Sequence, residues 1–404
     1  MNAPPGAQGA QIDIEAAYRC LKTLAAHVPY MAVSVRKGII FDLFHPFGLR
    51  SAGGNLGEAL DATLDIIALL FGLAFVAKWV DDIIPIRTPI SGSSPSSWAY
   101  GVTLVQILDE MRCFGWPINL LKLVDFSSTV LYIGFLWDLE AKVVSLPERK
   151  RAKYLARVDQ FLLDASESGP GSGATLHDAQ KLNGTLVHVA FVYRDGRPYL
   201  PTLQAFLMNF CNTHSRFVRL HPSSAVITDL KYWRHLLSIP SVFRSLVARP
   251  TIDLDIWVDA STSWGIGLVV DGLWRAWALR PGWKRERRDI GWAESIALEF
   301  AIRHIHGLGI TSSIIVVHSD NQGSIGQYRR GRGSNPQTNE SIKRTYALII
   351  QNDFDILLEY VESKHNIADA VSRGDTVALN PLSRLSRLFD TPIELAPFLI
   401  EHEL

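Results

Sequence analysis

The sequence predicts a multidomain chain of mixed α/β and α+β class, and three observations carry that expectation. Two adjacent acids, Asp81 and Asp82, stand between an apolar run at Phe71 to Val76, followed by Trp79 and Val80, and a second run at Ile83 and Ile84. That is the pattern of a β-hairpin whose turn carries charge. From Thr251 onward, strand-like and helix-like stretches alternate, the mark of a mixed sheet covered by helices. Finally, 404 residues exceed one ordinary core, so about two or three domains are expected.

Composition narrows the class. The chain is 48% hydrophobic and 20% charged, which excludes a disordered polymer. Lys and Arg total 40 and Asp and Glu total 40, so any nucleic-acid surface must be a local patch. Basic clusters occur at Arg149, Lys150, Arg151 and Lys153, at Lys284, Arg285, Arg287 and Arg288, and at Arg329, Arg330 and Arg332. Taken singly, each reads as a solvated helix end or loop. Cys20, Cys113 and Cys211 are far apart and form neither a metal spacing nor a disulfide framework, which fits a reducing compartment, cytoplasm or nucleus. The longest uncharged apolar run, Ile66 to Ala77, has 12 residues, short of the about 20 a membrane span needs. It reads as a buried helix leading into a buried strand. The first 12 residues are rich in Pro, Gly, Ala and Gln and lack a basic start, so no signal peptide is expected.

In order along the chain, Asp13 ends a short strand-like piece, and Glu15 to Leu24 looks helical. Val28 to Val35 and Gly38 to Phe41 alternate like a hairpin, and Leu56 to Leu70 reads as a helix after a loop marked by Pro46, Gly48, Gly53 and Gly54. The Asp81–Asp82 hairpin follows, then a flexible loop at Ser91 to Ser97 and an amphipathic helix at Val102 to Phe114. Leu131 to Leu136 and Val143 to Leu146 pair as a second hairpin. Like charges side by side are costly unless a cation neutralises them, and Mg²⁺ takes carboxylate oxygens while keeping room for phosphate. Asp13 could join Asp81 and Asp82 as a third ligand; a solvated Asp-Asp turn is the alternative reading of the pair alone.

Leu146 to Leu163 is a basic amphipathic helix, suited to duplex backbone or to plain solvation. Gly169 to Gly173 is a loop, and helices are expected at Asp178 to Tyr193, Leu200 to Cys211 and Thr228 to Leu237. Three strands with tight turns fill Thr251 to Arg280. Then come a helix at Ile290 to Leu308, a strand at Ser312 to His318, helices at Asn321 to Arg329 and Asn335 to Gln351, a strand at Ile356 to Val361 and a final helix at Asn366 to Arg373. Asp259 ends the first strand of this region, Glu294 starts its first helix, Asp320 ends its fourth strand, and Asp369 lies on its last helix. Four carboxylates from separate elements fit two Mg²⁺ ions and phosphodiester hydrolysis. Glu299, on the same helix, competes with Glu294.

These blocks resemble a retrotransposon reverse transcriptase with its ribonuclease H. In the first part they are Asp13 with Tyr18 five residues on, PFGL followed by small residues at Pro46 to Ala52, and Trp79-Val80-Asp81-Asp82. Lys122 after Gly115-Trp116-Pro117, and Ile133 to Trp137, complete the set. In the last part they are VDAS at Val258 to Ser261, AES-x-A at Ala293 to Ala297, HSDNQG at His318 to Gly323 and HNIADAVSR at His365 to Arg373. The style of the blocks is similar to that of DIRS-like retroelements.

The resemblance implies a polymerase palm at 1–145, a helical thumb or connection at 146–250, a ribonuclease H-like mixed-sheet domain at 251–375 and a tail at 376–404. It implies that Asp13, Asp81 and Asp82 hold two Mg²⁺, with Mn²⁺ as an alternative, for transfer of a deoxynucleoside triphosphate (dNTP) onto a template–primer. Tyr18 would exclude a 2′-hydroxyl, Phe47 and Gly48 would line the nucleotide pocket, and Lys122 would protonate pyrophosphate. Trp79 stands where the family usually has Tyr or Phe. Arg149, Lys150 and Lys153 would touch duplex backbone. Asp259, Glu294, Asp320 and Asp369 would be the nuclease ligands, Glu294 being preferred to Glu299 because the family's E-x-x-A pattern fits Ala297, and His365 would move protons or help product leave. The substrate would be an RNA–DNA hybrid recognised by shape. Only 12 residues precede Asp13, where the family carries basic fingers, so polymerase activity from this chain is expected to be impaired. A non-enzymatic relic or domesticated nucleic-acid-binding protein is the rival; a sequence-specific DNA binder lacks a recognition helix or zinc spacing.

Overall fold

A computed structural model describes residues 4–402 except 96, 167, 168, 170 and 213–216. Ser96 and Pro170, in the loops expected at 91–97 and 169–173, and Met1 to Ala3 at the Pro/Gly-rich start, lie outside the described residues. The chain forms two compact units, 1–147 with 241–248 and 148–240 with 249–404.

The first unit runs β1 (Gln8–Asp13), β2 (Ala32–Val35), β3 (Gly38–Phe41), α1 (Ala52–Phe71), β4 (Phe75–Trp79), β5 (Asp82–Arg87), α2 (Leu104–Cys113), β6 (Val124–Ser127), β7 (Thr129–Tyr132), β8 (Phe135–Asp138) and β9 (Val143–Ser145). Its main sheet is antiparallel, in the order β4-β5-β1-β6. Ala10 and Ile12 of β1 and Ile83 of β5 pack on Leu56, Leu60, Leu64 and Ile67 of α1 and on Ile107 and Met111 of α2. The i, i+4 spacing of the α1 residues makes one apolar face, which burial against the sheet stabilises. Gly72 ends α1 at φ 60, where its N–H reaches the Ala68 carbonyl. Thr103 and Gln106 close a reciprocal cap at the start of α2.

Three expectations are overturned here, two of them by local backbone. The helix read at Glu15 to Leu24 is only a 3-10 turn at Ala17–Cys20, because Ala16 stands in the left-handed region at φ 48. The strand read at Leu131 to Leu136 is two strands, since Ile133 and Gly134 both have positive φ and make the two-residue turn of the β7–β8 hairpin. The run Ile66 to Ala77 is not buried throughout: it ends α1 and begins β4, and Leu69 is 85% exposed and Phe75 50%.

The second unit begins with α3 (Glu148–Ser166), β10 (Ala174–Thr175), α4 (Leu176–Val189), α5 (Pro201–Met208), β11 (Arg219–Leu220) and α6 (Ser224–Ser238). The chain then visits the first unit, where β12 (Phe243–Ser245) pairs with β9 in the sheet β12-β9-β8-β7. It returns as β13 (Thr251–Ala260), β14 (Gly265–Val270), β15 (Leu273–Leu279), α7 (Ile290–Gly307), β16 (Ile314–Ser319), α8 (Gln322–Arg330), α9 (Pro336–Gln351), β17 (Asp355–Tyr360), α10 (Ala368–Ser372) and β18 (Leu399–Glu401). These strands form a six-stranded mixed sheet, β17-β16-β13-β14-β15-β18, with β13, β16 and β17 parallel and the other pairs antiparallel. Ile256, Val258, Ile266 and Leu268 of the sheet pack on Ala293, Ile296, Ala297, Phe300 and Ala301 of α7.

The tail therefore supplies an edge strand that its short apolar pieces did not reveal. β18 is anchored by Glu401, which accepts from the buried Arg275 at 2.7 Å. The helical layer is bound to α9 and β17 by polar contacts. Asn339 donates to the Pro198 carbonyl at 2.7 Å, Lys343 meets the buried Asp229 at 2.8 Å, and Arg194 pairs with Asp355. Among the described residues no helix is long and apolar enough to cross a membrane.

Candidate active sites

In the first unit the strand pairing itself brings two acids together. Asp13, the last residue of β1, faces Asp82, the first residue of β5, across an antiparallel pair. Asp81 lies in the two-residue turn between β4 and β5, and its carbonyl accepts from the Ile14 N–H at 3.2 Å. Val80, the other turn residue, has φ 60, a conformation in which a β-branched side chain is strained. Burial raises the Asp82 carboxyl above its ordinary value, and the charges of Asp81 and then Asp13 raise it further.

Asp13 is buried and already partnered. Lys122 Nζ donates to Asp13 Oδ2 at 2.7 Å and Asn119 Nδ2 to Oδ1 at 3.0 Å. The hydrogen bond to Asp13 raises the Lys122 ammonium, helped by the charges of Asp13, Asp82 and Asp81. Asn119 was not foreseen; its position three residues before Lys122 was the available signal. Tyr18 and the exposed Phe47 meet edge to face at 5.1 Å. Gly48 has φ 93, which only glycine adopts without strain. Trp79, at the end of β4 opposite Asp82, is 68% exposed.

In the second unit Asp259, Glu294 and Asp320 come together from β13, α7 and the end of β16, with one carboxylate oxygen of each within 4.8 Å of the others. The parallel β13–β16 pair sets the two aspartates side by side, and α7 crosses the sheet to deliver Glu294. Glu299 points elsewhere: fully buried, it is held by Arg303 and Arg344, each at 2.7 Å. Burial, and then the charges of Asp259 and Asp320, push the Glu294 carboxyl up to about 9. Burial raises Asp259 to about 6 against the lowering effect of its Ser372 hydrogen bond.

Polar neighbours orient these acids. Asn366 Nδ2 donates to the Val258 carbonyl at 3.0 Å and reaches Asp320 Oδ1 at 3.4 Å and Asp259 Oδ1 at 3.5 Å. The Ser372 hydroxyl donates to Asp259, and the Ser363 hydroxyl to Asp320. Asp369 lies outside the group of three and pairs with Arg373 at 2.8 Å, though its charge contributes to raising Asp259. His365 closes an exposed 3-10 turn before α10. Asn366 and Ser372 both fall inside the HNIADAVSR run, whose pattern does not mark which of its polar residues meet the acids. On α3, Arg149 and Lys153 are exposed and Lys150 is half-buried.

No protein-family model matches this chain, and no curated protein matches it. Among solved structures it is similar to the foamy viral protease-reverse transcriptase dRH in complex with double-stranded DNA, at 14% identity and a TM-score of 0.40. The match covers 89% of this chain and 58% of that one, so this chain spans well under two thirds of its length. Two further structures of foamy viral protease-reverse transcriptase are similar. One, with an RNA/DNA hybrid, has 12% identity, a TM-score of 0.32 and coverage of 92% and 67%. The other, with double-stranded DNA, has 14% identity, a TM-score of 0.39 and coverage of 90% and 69%. None of the three is named as coming from a DIRS-like element.

Proposed function

We propose that the second unit is a divalent-metal-dependent nuclease of ribonuclease H type, cutting the RNA strand of an RNA–DNA hybrid. The observation that carries the reading is the approach of Asp259, Glu294 and Asp320 within 4.8 Å, with Glu294 Oε2 buried and lacking any hydrogen-bond partner. Three carboxylates so close repel, and an unpartnered buried oxygen is costly. An all-oxygen donor set of this charge fits Mg²⁺ or Mn²⁺. Bound there, the cations would supply Lewis-acid stabilisation of phosphoryl charge and an activated water.

The chain's own side chains hold that geometry. Asn366 bridges toward both aspartates and ties them to the β13 backbone, and Ser372 fixes the Asp259 carboxylate. Asp369 is read as a fourth ligand, released from Arg373 when cations bind. His365 is read as the group that passes a proton to the departing oxygen.

A specific observation favours a second activity in the first unit: Asp13 and Asp82 face each other across the sheet beside Lys122. We read this as a nucleotidyl-transfer site taking a template–primer and a dNTP, making the whole an RNA-directed DNA polymerase with ribonuclease H. Lys122 would give its proton to pyrophosphate, and Tyr18, Phe47 and Gly48 would bound the nucleotide. Trp79 and, on α3, Arg149, Lys150 and Lys153 would meet nucleic acid.

The test is cleavage of a labelled RNA–DNA hybrid by the full chain with Mg²⁺ and with EDTA, beside primer extension on the same template. Cleavage is expected with Mg²⁺ alone and is expected to vanish in Asp320→Asn. Unchanged cleavage by that variant overturns the nuclease assignment. Extension that survives Asp82→Asn overturns the polymerase assignment.

A further inference from the structure

A cavity of about 230 Å³ lies in the second unit between the helical layer and the edge of the six-stranded sheet. Three guanidiniums line it, Arg194, Arg197 and Arg329, and a single acid, Asp355. That acid is already shared, since it pairs with both Arg194 and Arg249. Arg197 and Arg329 have no carboxylate partner among the described residues. Each is fixed instead by a backbone carbonyl, Arg197 Nε donating to Ala190 at 3.1 Å and Arg329 Nη2 to Leu358 at 2.8 Å, and Arg197 also bonds the Tyr346 hydroxyl. A guanidinium has five donors, so each keeps several free.

Two more arginines lie outside the lining, one of them close enough to feel the charge of Arg197. Arg330 and Arg332 also have no carboxylate partner among the described residues. Burial, and then the charges of Arg330 and Arg197, push the Arg332 guanidinium below its ordinary value. Held cations that repel one another, with donors to spare, are matched by an anion with several acceptor oxygens.

We propose that this cavity binds a phosphate group. Its volume is below the about 300 Å³ at which small-molecule pockets begin, so it takes the phosphate and not a whole nucleotide. The phosphate can be free or part of a nucleic-acid backbone. The backbone source rests on the nuclease reading above; the cavity itself does not. Arg329 stands near the end of α8, which starts two residues after Asp320. At 1.5 Å per residue that is about 10 Å along the helix, within reach of the same nucleic-acid strand.

Two titrations of the full chain in EDTA test the proposal. One adds inorganic phosphate and reads heat; the other adds a labelled RNA–DNA hybrid and reads anisotropy over a series of salt concentrations. The phosphate heat is expected to disappear in Arg329→Gln and in Arg197→Gln, and to return in part in Arg329→Lys. If the backbone is the source, the slope of log affinity against log salt falls by about one in Arg329→Gln. Loss of the heat with an unchanged slope identifies free phosphate as the ligand. A chain that binds phosphate but no hybrid sinks the nuclease reading and leaves the cavity assignment standing. Heat and slope both unaltered in Arg329→Gln overturn the proposal, and that exposed residue decides even if Arg197→Gln does not fold.

Discussion

Two glutamates five residues apart on α7 do opposite work. Glu299 is buried in an ion triad with Arg303 and Arg344. Removing one partner of such a group leaves buried charge uncompensated, so Glu299→Gln is expected to destabilise the unit by about 3 kcal/mol in urea denaturation. A loss under about 1 kcal/mol would contradict the cost assigned to uncompensated buried charge. Glu294 has no cationic partner among the described residues, only a hydrogen bond with Asn321, and burial raises its carboxyl to about 9. The folded protein therefore keeps that proton at pH values where the unfolded chain has lost it. Stability from this group is full below the ordinary glutamate range and falls as pH rises toward about 9. In EDTA, the melting temperature should drop over that window, and Glu294→Gln should flatten the drop. Parallel pH profiles for the two proteins would contradict the raised carboxyl.

At the scale of the element, the β4–β5 turn holds Val80 at φ 60. A left-handed L-residue costs about 1–2 kcal/mol, and a hairpin turn prefers glycine there. Val80→Gly is expected to stabilise the first unit by about 1 kcal/mol while loosening Asp81 and Asp82, so that primer extension falls. Lower stability in the glycine variant would mean that Val80 packing outweighs its strain. The hairpin was legible in the sequence because apolar residues flank the acid pair on both sides. The β7–β8 turn was not: Ile133 gives no turn signal, and only Gly134 marked the place where the strand folds back.

For the molecule as a whole, the decisive feature is that residues 148–240 share a unit with the six-stranded sheet. Asn339, Lys343 and Asp355 all find partners in that helical layer. A fragment 249–404 exposes those groups and the face of α9, so it is expected to melt well below a fragment 148–404. Equal melting temperatures would mean that the sheet and its own helices are self-sufficient.

The main strands and helices of the two candidate catalytic regions, and the acids at their ends, were legible in the sequence, because period-two and period-3.6 apolar patterns act locally. That is why Asp13, Asp81, Asp82, Asp259, Asp320 and the helix bearing Glu294 could be picked out in advance. Which acids meet was decided only by tertiary structure, since the contact depends on strand register and helix rotation across hundreds of residues. Spacing allowed Glu294 and Glu299 equally; the pitch of α7 against β13 turned one toward the aspartates and the other toward two arginines. The edge strand β18 and the Arg197–Arg329 cavity were likewise invisible, because each joins segments far apart in the chain with no local pattern in common.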